Sequence, residues 1–353
     1  MKLFPCFPLR TVLLILFIQF VHFSIVRADV PDTRVGGYIQ LYGLYQYEED
    51  VAPHEENWGY RLRRARLTVQ SDITDRLSAT SWLEFAGRQN ILLDFHFDYR
   101  LHTALRVRGG QFRPHGQTFN TGILGSASLI FVERAPITTF NASTMGFDAF
   151  RDIGVMAYGN YERLYYALHA TNGNGRFTQA GAQINSRSFG SGSYGGRVDF
   201  RPLNSLLIGG HISLNRQRDL ILDNQPPVDV NRYSGSIRLL TDGLLTDRSF
   251  SQTEFVLGSR DDSQEFTYDG IYSQLGYRFR ENLSVMGRFD YLAQRYDDQS
   301  DDIRYGVSLA VLRYIFRNSR EAVRAGINYN LTELPQDSHR HTVTAVFQVR
   351  FFP

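Results

Sequence analysis

Hydrophobic and polar residues alternate along most of this chain. Between Leu283 and Ala293 the odd positions hold Leu283, Val285, Gly287, Phe289, Tyr291 and Ala293, while the even ones hold Ser284, Met286, Arg288, Asp290 and Leu292. Ile91, Leu93, Phe95, Phe97 and Tyr99 alternate with Leu92, Asp94, His96, Asp98 and Arg100. Val323, Ala325, Ile327, Tyr329 and Leu331 alternate with Arg324, Gly326, Asn328 and Asn330, and Leu206, Ile208, Gly210, Ile212 and Leu214 with Leu207, Gly209, His211, Ser213 and Asn215. A period of two sends successive side chains to opposite faces, so each run predicts a strand with one apolar and one polar face. About sixteen such segments can be read, near 35–46, 60–72, 77–87, 91–100, 104–112, 151–159, 163–171, 193–201, 206–216, 231–240, 249–259, 266–280, 283–295, 303–316, 322–331 and 340–352.

The charges on the polar faces decide what the strands build. Against a soluble core each buried charge is costly unless paired. Facing a water-filled lumen it costs little, while the apolar face meets lipid. The connections agree. Thr74-Asp75-Arg76, Asn160-Tyr161-Glu162, Pro202-Leu203-Asn204-Ser205 and Glu281-Asn282 are tight, whereas 47–59, 113–150, 172–192, 217–230 and 332–339 are long; 88–90 is a short exception. Tight turns at one end and long loops at the other predict a transmembrane antiparallel β-barrel of about sixteen strands over residues 29–353.

The start of the chain predicts how it reaches a membrane. Lys2 and Arg10 precede an apolar run from Thr11 to Val26, broken only by Gln19 and His22, and Val26-Arg27-Ala28 supplies a cleavage site before Asp29. Residues 1–28 thus read as a cleaved signal peptide, with the outer membrane as destination. The single cysteine, Cys6, lies within it, so residues 29–353 hold neither a disulfide nor a thiolate metal site. No cofactor and no metal is expected.

Composition sharpens the picture. Aromatic residues make up 14% of the chain, with 20 Tyr and 26 Phe, yet the mean hydropathy is −0.29. A barrel that is apolar outside and polar inside produces that combination. Lys2 is the sole lysine. Removing Lys2, Arg10 and Arg27 from the 38 basic residues leaves 35 arginines against 36 acids. A balance of about −1 argues against nucleic acid as a partner.

In chain order, Gly37-Tyr38-Ile39-Gln40-Leu41, Arg63-Arg64-Ala65-Arg66-Leu67, Leu105-Arg106-Val107-Arg108-Gly109-Gly110-Gln111-Phe112-Arg113-Pro114-His115-Gly116, Phe131-Val132-Glu133-Arg134-Ala135-Pro136 and Asp152-Ile153-Gly154-Val155 resemble the phosphate-selective porin O/P family. The order and spacing of these motifs carry the match, strongly over 36–175 and more weakly beyond. The resemblance implies a homotrimer of sixteen-stranded porins, a third loop folded into the lumen, and arginines lining a path for small anions. Residues 113–150, the longest connection, suit that loop and hold Arg113 and Arg134. Alternation points Arg64, Arg66, Arg106 and Arg108 inward and puts Arg63 at the rim; arginine suits the task because its planar fork donates two bonds to an oxyanion. Glu84, Asp94, Asp98, Asp152, Asp199 and Asp290 share the inward parity as counter-charges. The family also uses lysines for phosphate, and residues 29–353 have none, which leaves a general porin as the alternative.

The last strand carries Val343, Ala345, Phe347, Val349 and Phe351 on one face, followed by Phe352, resembling the signal read by the barrel-assembly machinery; Pro353 departs from it. Outer-membrane lipid and lipopolysaccharide are the expected surroundings. The pairs Asp261-Asp262, Asp297-Asp298 and Asp301-Asp302 sit in long loops, as solvated tips or as sites sharing divalent cations with lipopolysaccharide. Gly190, Gly192 and Gly195 match a dinucleotide fingerprint, but no strand leads in and no helix follows. His96, His169 and His211 read as lumen-lining groups without a catalytic constellation. An outer-membrane enzyme or an adhesion barrel remain the contrasting classes.

Overall fold

The computed structural model describes residues 32–49, 56–86, 91–115, 131, 134–143, 145, 151–173, 192–220, 228–261, 265–296, 301–318, 321–334 and 338–351. The expected signal segment lies outside the described residues, as do Asp262, Asp297 and Asp298.

Sixteen strands follow one another: β1 (Asp32–Glu48), β2 (Glu56–Asp72), β3 (Leu77–Glu84), β4 (Ile91–His102), β5 (Leu105–Phe112), β6 (Asp152–Tyr161), β7 (Leu164–Thr171), β8 (Gly192–Leu203), β9 (Leu206–Leu220), β10 (Val228–Asp242), β11 (Ser249–Asp261), β12 (Phe266–Arg280), β13 (Leu283–Tyr296), β14 (Asp302–Arg317), β15 (Glu321–Leu334) and β16 (Ser338–Phe351). Each is antiparallel to its chain neighbours, and β1 pairs with β16 through a register that sets Gln40 opposite Gln348. The sheet closes into a barrel. Closure leaves no edge strand, the condition for a sheet to span lipid.

The two faces separate as the alternation predicts. Ile39, Leu41, Val307, Leu309, Val311, Ile327, Phe347 and Val349 are exposed on the outer face, while Gln40, Asn328, Thr344 and Gln348 between them are buried against the lumen. Outward aromatics gather near both ends. Tyr45, Trp58 and Tyr60 lie toward the long loops; Tyr161, Tyr277, Phe279 and Phe316 lie toward the tight turns. These are the girdles of a membrane-spanning barrel.

Two bulges break the simple parity. Gln40 faces Arg64 but Leu41 faces Leu62, so Arg63 is the extra residue of a bulge within β2 rather than a rim residue. Trp82 faces Asp94 while Leu83 faces Leu92, so Leu93 is extra in β4. Leu93 therefore turns inward, fully buried, and Leu92 turns outward. Strict alternation places both the other way round. A bulge adds one residue to one strand and reverses the parity on one side of it.

The connection between β5 and β6 enters the barrel, as expected of the third loop. Its helix α1 (Pro136–Ser143) starts on proline, which suits the first helical position, and Ala135 O accepts from the amides of Thr138 and Thr139. Ile137, Phe140 and Asn141, three and four apart, share one face. Ile137 and Phe140 pack with Val256, Phe266, Tyr268, Tyr272 and Leu292 on the inner face of β11–β13. Tyr268 donates to Asn141 Oδ1 at 2.6 Å. Earlier in the loop, Phe131 packs against Met286 and Ala310, near the tight-turn end. The described residues of the loop thus lie against the inner face of β11–β14.

Candidate functional site

The lumen wall has two electrostatic characters. Around β4–β13, five buried arginines are held by acids. Arg108 makes a two-pronged contact with Asp98 at 2.8 and 3.0 Å, and Tyr158 donates to the same carboxylate at 2.7 Å. His96 Nε2 lies 3.3 Å from Asp98. Arg151, entering β6, grips Asp94 with two bonds of 3.1 Å. Asp199 takes Arg197 Nε at 2.7 Å and Arg238 Nε at 3.2 Å. Glu254 accepts from Ser236 at 2.8 Å and Tyr272 at 2.9 Å, and Arg288 donates to Asp290 at 2.8 Å. Desolvated charges of this kind persist only when paired and hydrogen-bonded, and here they are.

The wall made by β15, β16, β1 and β2 differs. Following the register across it, Arg64 faces Gln40, Gln40 faces Gln348, and Gln348 faces Arg324. Gln40 Nε2 donates to Gln348 Oε1 at 2.5 Å, and that oxygen also accepts from Arg324 at 2.9 Å. One row toward the tight turns, Arg66, Tyr38 and Arg350 stand side by side. Arg66 is neutralised by Glu84 at 2.7 Å and also donates to the Tyr38 hydroxyl at 2.8 Å. Among the described residues, neither Arg64 nor Arg324 contacts a carboxylate. The acids on this wall that face the lumen lie near its rims, with Glu48 bonded to Arg340 at 2.6 Å and Asp72 to Arg34 at 2.5 Å. Strands are about 4.8 Å apart, so Arg64 and Arg324 stand roughly 14 Å from one another along the wall.

The four arginines that alternation points inward and the two on the third loop thus part company. Arg64 and Arg66 sit on this wall. Arg108 is consumed by Asp98, and Arg106 is exposed near the β4–β5 turn. Arg113 is half-buried where the third loop leaves β5, and Arg134 lies toward the tight-turn end with Phe131. Of the six counter-charges, Glu84, Asp94, Asp98, Asp199 and Asp290 bind arginines. Asp152 instead accepts from the backbone amides of Ile153 at 2.8 Å and Gly173 at 2.6 Å, holding the chain leaving β7. Arg324 and Arg350 were not picked out. Their even parity on the last strands marked them as inward, but the β1–β16 closure that brings them beside Arg64 has no local signature.

No family model matches this chain, and no curated protein matches it in sequence. Solved structures do. OmpT, an outer membrane protein of Vibrio cholerae, aligns with a TM-score of 0.64 at 12% identity over 92% of this chain and 99% of its own. An anion-selective porin from Comamonas acidovorans aligns with a TM-score of 0.63 at 10% identity over 91% of this chain and 100% of its own. The outer membrane channel DcaP of Acinetobacter baumannii gives 0.62 at 9% identity over 91% and 97%. The chain has the fold of an outer-membrane porin. At these identities the likeness speaks for the fold alone, and the barrel's chemistry has to come from its own residues.

Among the described residues, the nearest approach to a catalytic grouping is Ser236, bonded to His211 Nδ1 at 2.6 Å and to Glu254 at 2.8 Å. A hydroxyl has one hydrogen. It goes to Glu254, so the His211 imidazole donates to Ser236 and does not serve as its base.

Proposed function

We propose that this protein is a diffusion channel of the outer membrane whose lumen favours small anions. The carrying observation is the pair Arg64 and Arg324, whose guanidinium groups face the lumen with no carboxylate in contact among the described residues. The buried arginines Arg108, Arg151, Arg197, Arg238 and Arg288 by contrast each have a carboxylate. A cation-preferring pore would need surplus carboxylate on the lumen face. Here the acids are already engaged. The α1 helix, packed on β11–β13 about a quarter turn round the barrel from this wall, takes up part of the lumen. Two unit charges about 4 Å apart interact by roughly 4 kcal/mol at an effective dielectric of 20. A few such groups outweigh a net charge of about −1 spread over the whole chain.

Selectivity for phosphate in particular is not part of this reading, because residues 29–353 lack the lysines that the resemblance would bring. Assembly as a homotrimer is part of it, in keeping with the trimer form solved for the Vibrio cholerae protein. Solute uptake by proteoliposomes tests the reading. Small organic anions should enter faster than neutral solutes of equal size, and no uptake of either would reject a channel.

A further inference from the structure

The loop and the tight-turn end of the barrel enclose a second feature. Phe131 and Arg134 roof a cavity of about 430 Å³ whose walls come from β8–β14 and their turns. That volume is within the range of small-molecule sites. Five arginines line it, Arg134, Arg201, Arg278, Arg288 and Arg317, against two carboxylates, Asp242 and Glu281. Arg278 is held by Asp242 at 2.6 Å and Arg288 by Asp290 at 2.8 Å. Among the described residues, Arg201 and Arg317 have no carboxylate partner.

The cavity is more than a basic patch. Arg288 lies over the Phe131 ring at 4.5 Å, Arg278 over Phe250 at 4.6 Å, and Arg317 over Tyr314 at 5.0 Å. Leu207, Leu240, Met286 and Leu312 fill the wall between the charges. An inorganic anion would satisfy guanidinium groups and leave this apolar lining against water. A ligand with a charged head and a flat apolar body meets both, because guanidinium planes stack on rings as well as bind oxyanions.

We propose that this vestibule binds small organic anions bearing an aromatic or apolar body, such as aryl carboxylates. The proposal rests on the channel reading only in requiring a lumen that solutes can enter.

The test is equilibrium binding to the full folded chain in detergent, with benzoate and inorganic phosphate as separate probes. Wild type should bind benzoate more tightly than phosphate. Arg201→Gln with Arg317→Gln should weaken benzoate about tenfold, the loss of one charge-assisted contact. Phe131→Ala should weaken benzoate while leaving phosphate unchanged. Heat-dependent gel migration checks that each variant is folded. Benzoate binding that is no tighter than phosphate, or that survives the double substitution, would overturn the proposal. A chain that conducts but binds no benzoate would remove the site and leave the channel reading intact; binding without conductance would do the reverse.

Discussion

Ile137 of the third loop rests against Gly270 on the inner wall: a Cβ at Gly270 would fall 2.8 Å from Ile137 Cγ1 and 2.6 Å from the carbonyl oxygen of Tyr291. The missing side chain is what lets α1 approach β12 this closely. Phe140 completes the contact, with its ring 5.1 Å from Tyr268 and 6.1 Å from Phe266. Replacing Ile137 and Phe140 together with alanine should free the helix from the wall, since deleting a buried large side chain costs about 2–5 kcal/mol. Single-channel conductance should rise and become noisier, while the unheated protein still migrates as a closed barrel. Unchanged conductance would mean that α1 does not limit the pore.

Glu84 neutralises Arg66 and also accepts from the amides of Ala65 at 2.8 Å and Ala86 at 3.2 Å. Glu84→Gln should add one uncompensated cation to the arginine wall. The zero-current potential should move further toward anions, and the thermal midpoint should fall, because a hydrogen bond to a charged group contributes about 1.5–3 kcal/mol. A shift toward cations would show that Glu84 does not act on the ion path.

His115, in the third loop just past β5, bonds Tyr165 through Nδ1 and packs edge-on to Tyr158 at 5.2 Å. Burial, with Arg108 and Arg197 close by, pushes its imidazole down to about 3 against the slight opposing pull of Asp98; Arg113 adds to the depression. The docked loop therefore holds a neutral His115. Released, the same group would take a proton at its ordinary pKa of about 6.5. Docking is then strongest above that value and weakens as pH falls from about 6.5 toward 3. Conductance noise should be greater at pH 4 than at pH 7.5, and His115→Gln should flatten the difference. A pH response unaltered in that variant would assign it to other groups.

Much of the barrel is legible in the sequence because lipid outside and water inside impose a period of two on every strand. The ends of β13, at Leu283 and Tyr296, fall within a residue of the alternating run. What escapes is set by contacts between distant segments. Arg63 and Leu93 look like ordinary members of their runs, and only pairing with Leu41 and Leu83 across the sheet reveals the bulges. The arginine wall is hidden for the same reason. Arg64 and Arg324 are separated by about three quarters of the chain and are linked through Gln40 and Gln348. Nor does parity tell a paired arginine from an unpaired one: Arg108 and Arg64 read alike until Asp98 is found beside the first.

The arginine wall is tested most directly by the zero-current potential across a planar bilayer in a tenfold salt gradient near 0.1 M, for the wild type and for Arg64→Gln combined with Arg324→Gln. The wild type should be anion-selective, less so as salt rises and the Debye length shrinks from about 10 Å. The double variant should lose most of that preference while keeping its heat-dependent gel migration. A wild-type channel already selective for cations, or an anion preference untouched by both substitutions, would contradict the account.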